Sequence, residues 1–134
     1  MSTNEGKQYF DLHTTGIGYL NHVREVTPKE GTPFLSVTIA ALRGSVDNAH
    51  YTHFECRVSG KQAQELVRQL KPAVEGKSKV LIGFTLSDLY AESFTFRSGD
   101  KAGDTGISLK ARLLRIAWAK VDGQPFYTAQ DDAA

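Results

Sequence analysis

The sequence contains very little cysteine, no excess of charge of either sign and no long apolar segment. Cys56 is its only cysteine, so an intrachain disulfide or a thiolate metal cluster is excluded, and a reducing compartment is expected. Sixteen Lys and Arg residues stand against 15 Asp and Glu residues, a balance that lacks the strongly basic composition of many nucleic-acid-binding proteins. A binding site for nucleic acid would therefore have to be a local patch.

Apolar residues nowhere form a run near the roughly 20 residues that a membrane-spanning helix needs. The first residues, MSTNEGKQ, are polar and differ from a secretory signal peptide. We therefore expect a cytoplasmic protein that does not associate with membranes. A chain of 134 residues with 40% hydrophobic composition predicts one compact domain.

Alternating apolar residues predict three strands in the first half of the chain, over residues 16–26, 34–42 and 51–58. Ser59 and Gln62 then match a capping box, which predicts the start of a helix. The apolar stripe of this helix has helical spacing and consists of Ala63, Leu66, Val67 and Leu70.

The second half of the chain again shows strand periodicity. It predicts strands over residues 79–86 and 92–97, a long strand that begins at Ile107, and an edge strand over residues 124–127. The segment SGDKAGDTG is rich in glycine and predicts a long, mobile loop. In the long strand the apolar positions change from odd to even numbers at Leu113-Leu114, which predicts a bulge or a sharp bend.

Three strands, one helix and further strands, in that order, predict a mainly β protein. The matching architecture is a five-stranded Greek-key OB-fold barrel with one helix between strands 3 and 4. A small α+β sandwich is the alternative. We expect a flexible arm over residues 1–12, the OB-fold domain over residues 13–128 and a short polar end over residues 129–134.

Two short motifs resemble parts of the bacterial single-stranded-DNA-binding proteins: GKQAQ at the start of the predicted helix, and VLIGFTL in the strand that follows it. Over nearly its whole length the chain also resembles a family of small replication-associated proteins of bacterial integrative and conjugative elements. That resemblance is carried by YFDLHTTGIGYLNHVREVTP, KVLIGF and TGISLKARLL. These resemblances imply an OB fold, binding of single-stranded DNA, assembly into a homo-oligomer (dimer or tetramer), and replication proteins as possible partners.

Binding of a single strand without base specificity needs aromatic rings that stack on bases. In the single-stranded-DNA-binding family a tryptophan commonly stands seven residues after the strand glycine, where this chain has Tyr90. Another stands seven residues before the helix-start glycine, where this chain has His53, and Tyr51 shares the strand face of His53. Phe94 and Phe96 either extend this stacking platform or fill the core.

Cations that follow the phosphates are the second requirement. Residues 97–120 contain six basic and two acidic residues, which predicts a positive patch. The alternative for each of these cations is a solvated outer face. The phosphate-contact candidates are Arg97, Lys101, Lys110 and Arg112, with Arg43, Arg57 and Lys79 as secondary candidates.

Catalytic and metal-binding motifs are missing from the sequence. Its four histidines lack the close pairing of metal ligands, and no Walker-type phosphate loop is present. We therefore expect no enzymatic activity, no cofactor and no metal. The leading hypothesis is sequence-independent binding of single-stranded DNA in the replication or transfer of a mobile genetic element. The alternative is a replication-accessory OB domain that mainly binds protein partners.

Overall fold

The structure, a computed structural model, describes residues 8–129. The first seven residues of the predicted arm and residues 130–134 of the predicted polar end lie outside this part. The described residues form one helix and six strands: β1 (His13–Val26), β2 (Phe34–Ser45), β3 (Asn48–Val58), α1 (Lys61–Glu75), β4 (Val80–Thr95), β5 (Thr105–Val121) and β6 (Gln124–Thr128).

Five of the strands close into a barrel. β1 pairs with β2 and β4, β2 pairs with β3, and β5 pairs antiparallel with β4 and parallel with β3. β6 adds to the edge of β5. A closed five-stranded barrel with one helix between its third and fourth strands is the arrangement of the OB fold, so the predicted fold class is confirmed.

The core lies inside the barrel and under α1. Inside the closed part of the barrel, alternate residues of β1 to β5 point inward, and the predicted helical stripe is buried against them. α1 packs on β1, β4 and β5. Burial of each large aliphatic side chain contributes about 1.5–3 kcal/mol, so this core fixes the frame on which the exposed residues are arranged. Its largest fully buried side chains include Leu20, Ile39, Leu70, Ile82, Leu86, Leu113 and Ile116.

The predicted capping box at the start of α1 is wrong. Gly60 is the N-cap residue, and no side chain donates to or accepts from the cap. The Gln62 side chain instead bonds to β5 and β6: its Nε2 donates to the Ile116 carbonyl at 2.8 Å and to the Tyr127 hydroxyl at 2.9 Å. The Ile116 amide donates back to Gln62 Oε1 at 3.1 Å. Gln62 therefore ties the helix to the barrel.

β5 has a bulge at the place where the sequence predicted a change of facing. Its pairing with β4 leaves Leu114 as an extra residue between Leu113 and Arg115. A Cβ added to Gly60 would overlap the carbonyl oxygen of Leu114, so α1 can begin this close to the bulge because Gly60 has no side chain.

β4 is one continuous strand across the gap that was predicted between residues 86 and 92. Asp88 and Leu89 form a bulge there, opposite a single residue of β5. Beyond this bulge, residues 90–95 pair only with residues 105–110 of β5. β1 pairs no further than Ser87, and β3 reaches only Leu109. We call residues 90–110, which include the SGDKAGDTG segment, the β4–β5 hairpin.

Candidate nucleic-acid interface

An open cleft of about 570 Å³ lies on the outer face of β1, β2 and β3, and the segment between α1 and β4 bounds it. Its lining contains no Asp or Glu side chain. Cavities of this volume are typical of sites for small ligands or for segments of larger ones. The side chains that give the cleft its chemistry are Tyr19, His22, Tyr51, His53, Lys77 and Lys79.

Strand register brings the rings of the cleft together. Tyr19 pairs with Ala40, and Ala40 pairs with His53, so these three residues lie side by side on three neighbouring strands. The ring centroid of Tyr51 lies 6.4 Å from that of Tyr19 and 6.4 Å from that of His53. Between β1 and β3, β2 contributes Ala40, whose side chain is only a methyl group. The rings therefore surround a shallow floor. We call Tyr19, Tyr51 and His53 the ring cluster.

The cations of the cleft come from the segment that joins α1 to β4. Asp122 fixes this segment, because the Lys79 amide donates to the Asp122 carboxylate at 2.9 Å and the Asp122 amide donates to the Lys79 carbonyl at 2.8 Å. Among residues 8–129, neither the Lys77 nor the Lys79 ammonium group lies within ion-pair distance of a carboxylate. Both charges are therefore available to an anionic ligand.

The cations predicted on β5 have carboxylate neighbours on β4. Lys110 Nζ lies 3.5 Å from Glu92 Oε1, and Arg112 Nε lies 3.2 Å from Asp88 Oδ2. Between residues 88 and 112 the chain has four acidic and four basic residues. The positive excess counted over residues 97–120 is thus offset across the strands.

Of the predicted aromatic residues of the hairpin, Tyr90 and Phe94 are exposed and Phe96 is half-buried. Tyr90 pairs with Lys110 across the strands and is 55% exposed. The Phe94 and Phe96 rings lie 4.9 Å apart and cover Gly106, outside the hydrophobic core, so the core alternative is excluded for both. Lys101 Nζ lies 5.7 Å from the centre of the Phe96 ring.

Of the remaining predicted residues, Arg43 and Arg57 lie apart from both the cleft and the hairpin. Arg43 Nε donates to the Thr52 hydroxyl at 3.0 Å, and the Arg57 guanidinium lies 4.2 Å above the Phe34 ring. Arg97 is exposed beside the hairpin tip. The structure therefore brings three predicted residues together in the cleft, namely Tyr51, His53 and Lys79. It places Tyr90, Phe94, Phe96, Arg97, Lys101 and Lys110 on the hairpin, with Arg112 just beyond it.

Glu55 lies between the cleft and the hairpin. It follows His53 by two residues on the same face of β3, and it is in register with Lys110 of β5. Its carboxylate accepts hydrogen bonds from Arg24 at 3.2 Å and from Thr38 at 2.9 Å. The positive side of the cleft is thus separated from the cations of β5 by a carboxylate that already has partners.

Sequence reasoning missed Tyr19, His22 and Lys77. Alignment of the three predicted strands as neighbours would have placed Tyr19 near His53, because both are on outward positions. His22 and Lys77 gave no periodic signal, since one lies at an irregularity of β1 and the other follows the helix.

Comparison with known proteins gives a family without an assigned activity. The family model described as "Protein of unknown function (DUF3577)" matches residues 3–134. The chain belongs to this family. Its predicted relation to integrative-element replication proteins and to single-stranded-DNA-binding proteins stays a prediction.

One relative of the DUF3577 chain among curated proteins is transmembrane protein 129 of Gallus gallus, which is 30% identical over 90 residues. The match covers 66% of this chain and 23% of the relative, so the chain spans less than a quarter of that protein's length. No solved structure matches the chain. Within residues 8–129, α1 is too short and too polar to cross a membrane.

Proposed function

We propose that this protein binds single-stranded DNA without base specificity and that the cleft on β1, β2 and β3 is its principal site. One observation carries the proposal: the ring cluster lies beside two lysines that no carboxylate neutralises among the described residues. Every base has a π face, so stacking tolerates any sequence and contributes about 1–3 kcal/mol per base.

The position of the cleft in the fold supports this proposal. OB folds bind oligonucleotides and oligosaccharides on the face of strands 2 and 3, together with the loops that join strands 1 and 2 and strands 4 and 5. The cleft uses β2 and β3 of this barrel, and the hairpin tip is the connection between β4 and β5. We propose that a longer strand continues from the cleft to the hairpin, where Tyr90 and Phe94 offer further rings.

Single strands fit this surface better than a duplex does. Bases in a duplex stack on one another and present only their edges, whereas unpaired bases can turn their faces to protein rings. The proposal also includes a role in the replication or transfer of a mobile genetic element and assembly into a homo-oligomer. These two parts rest on the sequence resemblance alone.

Fluorescence anisotropy of labelled oligo-dT tests the proposal. The titration is run at two salt concentrations, with unlabelled duplex DNA as competitor. We expect binding that weakens with salt, because phosphate contacts release counterions, and that excess duplex does not compete away. Absence of binding at low salt, or full competition by duplex, would contradict the proposal.

A second candidate function is protein binding through the β4–β5 hairpin. Ile107, on the hairpin, is 65% exposed, and Leu89, at its base, is 46% exposed, on a surface with balanced charge. An apolar, neutral surface suits a protein partner better than it suits a polyanion. The salt dependence separates the two candidates, because an apolar interface responds little to salt.

A further inference from the structure

The turn that follows α1 contains a lysine in a left-handed conformation. Lys77 has φ of 67°, its amide donates to the Val74 carbonyl at 3.0 Å, and the Ser78 amide donates to the Ala73 carbonyl at 2.9 Å. Helices commonly end at such a residue, and it is usually glycine because a Cβ is strained there. The preceding residue, Gly76, has φ of −80°. The glycine therefore lies one position before the left-handed residue, where its conformational freedom would relieve strain.

A second strained residue faces the same cleft. His22 has φ of 50° where β1 carries one extra residue between Asn21 and Arg24, and glycine is the residue that relieves strain in such bulges. The described residues include four non-glycine residues with positive φ, and two of them, His22 and Lys77, line the cleft. Strained backbone of this kind is concentrated at binding sites.

The other two residues with positive φ have local explanations. Asp122 precedes Gly123 in the tight turn between β5 and β6, where an Asp-Gly pair is favoured. Asp88 forms the ion pair with Arg112 at the β4 bulge, and aspartate tolerates the left-handed region better than most residues. Lys77 has neither explanation.

The lysines and the rings come to the cleft from different elements. β1 pairs antiparallel with β4, with Tyr19 opposite Leu81, so the chain that enters β4 through Lys79 runs beside the part of β1 that follows Tyr19. Arg24, a neighbouring cation, lies 3.2 Å from the carboxylate of Glu55, and its Nη1 lies 3.3 Å from His22 Nδ1.

We propose that Lys77, Lys79 and His22 form a phosphate-binding side of the cleft, and that Lys77 keeps its left-handed conformation to present its ammonium group there. The cleft then holds a nucleotide in one orientation, with the base on the ring cluster and the phosphate on Lys77 and Lys79, beside the His22 ring. This inference rests on the proposed function and adds to it the residues that hold the phosphate. The phosphate is either a diester within a strand or the monoester of a free nucleotide.

Lys77→Gly separates this role from a structural one. The change relieves the left-handed strain, so we expect the melting temperature to rise by about 2–4 °C. At the same time it removes a phosphate contact, so the slope of log affinity against log salt for oligo-dT should fall in magnitude by about 0.7. Lys79→Ala should lower the slope by a similar amount, and Lys77→Arg should retain it.

Lys61→Ala is the matched control, because Lys61 is an exposed lysine at the opposite end of α1 and outside the cleft lining. It should leave the salt slope unchanged. If wild-type protein binds oligo-dT but Lys77→Gly and Lys79→Ala keep the full slope, these lysines do not contact the diesters of the strand, while the proposed function stands.

Two probes distinguish the sources of the phosphate. Oligo-dT without terminal phosphates offers only diesters, so a reduced slope in the lysine variants assigns the contact to the strand. Thymidine 5′-monophosphate, followed by amide chemical shifts, offers a monoester, and shifts at residues 77–79 that thymidine does not cause assign the contact to a free nucleotide. If oligo-dT fails to bind, the proposed function fails, and the nucleotide titration still decides the inference. Absence of both effects overturns it.

Discussion

The cleft and the β4–β5 hairpin both display aromatic rings on the surface of one OB barrel, but their surroundings differ. In the cleft, the ring cluster lies beside Lys77 and Lys79, and no carboxylate lines the surface. In and beside the hairpin, the cations of β5 lie within 3.5 Å of carboxylates from β4. A count of charges along the chain therefore does not give the charge of a surface, because antiparallel pairing brings distant residues together.

The two regions also differ in the number of neighbouring strands that hold them in place. The strands that carry the ring cluster are part of the closed barrel, and Tyr19 lies on β1 between β2 and β4. Residues 90–95 pair only with residues 105–110 of β5, and within that stretch residues 105–108 have no second partner strand. Two-stranded ribbons are marginally stable by themselves, so we expect the cleft to be the more rigid and better organised site.

The largest expected effect concerns the reactivity of Cys56, in the barrel core behind the cleft. Cys56 lies on β3, three residues after His53, and its side chain faces the barrel interior. Burial and, to a smaller extent, the negative charge of Glu55 raise the pKa of Cys56 from 9.0 to about 12. At pH 8 we expect iodoacetamide to label the folded protein about 1000-fold more slowly than the unfolded chain, because only the thiolate reacts.

Mass spectrometry of the labelled protein measures this rate, and labelling in denaturant is the control. Rapid labelling of the folded protein would show that β3 opens beneath the ring cluster. The same pKa difference lowers the free energy of unfolding as the pH rises from 9.0 towards about 12, because the unfolded chain releases the thiol proton first.

Amide hydrogen exchange compares the rigidity of the two regions directly. We expect amides at residues 90–95 to exchange about 100-fold faster than amides at residues 81–86 of the same strand. Residues 81–86 pair with β1 as well as with β5, whereas residues 90–95 do not pair with β1. Equal protection would mean that the hairpin is as well supported as the barrel, and the preference for the cleft would lose its mechanical basis.

Removal of a ring should affect the two regions unequally. Tyr51→Ala removes the ring that touches both other members of the ring cluster, and we expect it to weaken oligo-dT binding by about 30-fold, the loss of one stacked base. Tyr90→Ala should weaken it by about threefold or less. Both tyrosines are about half exposed, so both variants should fold, and melting curves check this. A reversed order of effects would make the hairpin the principal site.

The smallest expected effect comes from the carboxylates beside the hairpin. Asp88→Asn with Glu92→Gln frees Lys110 and Arg112, and we expect oligo-dT affinity at low salt to rise by only about two- to threefold. Asp47→Asn with Glu65→Gln changes the net charge equally at exposed sites outside the cleft lining and the hairpin. A gain above tenfold over this control would show that the hairpin contacts the phosphates.

Short-range patterns predicted much of the fold. Period-two alternation located the strands, the stripe from Ala63 to Leu70 located the helix, and the change of facing at Leu113-Leu114 located the β5 bulge. The capping box failed because the partners of Gln62 are 54 and 65 residues away in sequence, on β5 and β6. Nothing in the local pattern distinguishes that role from capping.

The candidate site was less predictable than the fold, because it depends on neighbours across strands. Tyr51 and His53 were found from one strand face, but the ring of Tyr19 joins them only through the register of β1, β2 and β3. The basic segment over residues 97–120 was counted without Asp88 and Glu92, which lie across from it on β4. Register and bulges therefore carry information that a single-strand pattern lacks.

Photocrosslinking tests most directly whether the cleft is the principal site. Oligo-dT that contains 5-iodouracil is irradiated in complex with the protein, and peptide mass spectrometry locates the crosslinked residues. We predict that the adducts fall mainly on Tyr19, Tyr51 and His53, with weaker adducts on the hairpin. Adducts confined to Tyr90, Phe94 and Phe96 would contradict the central claim and place the principal site on the hairpin.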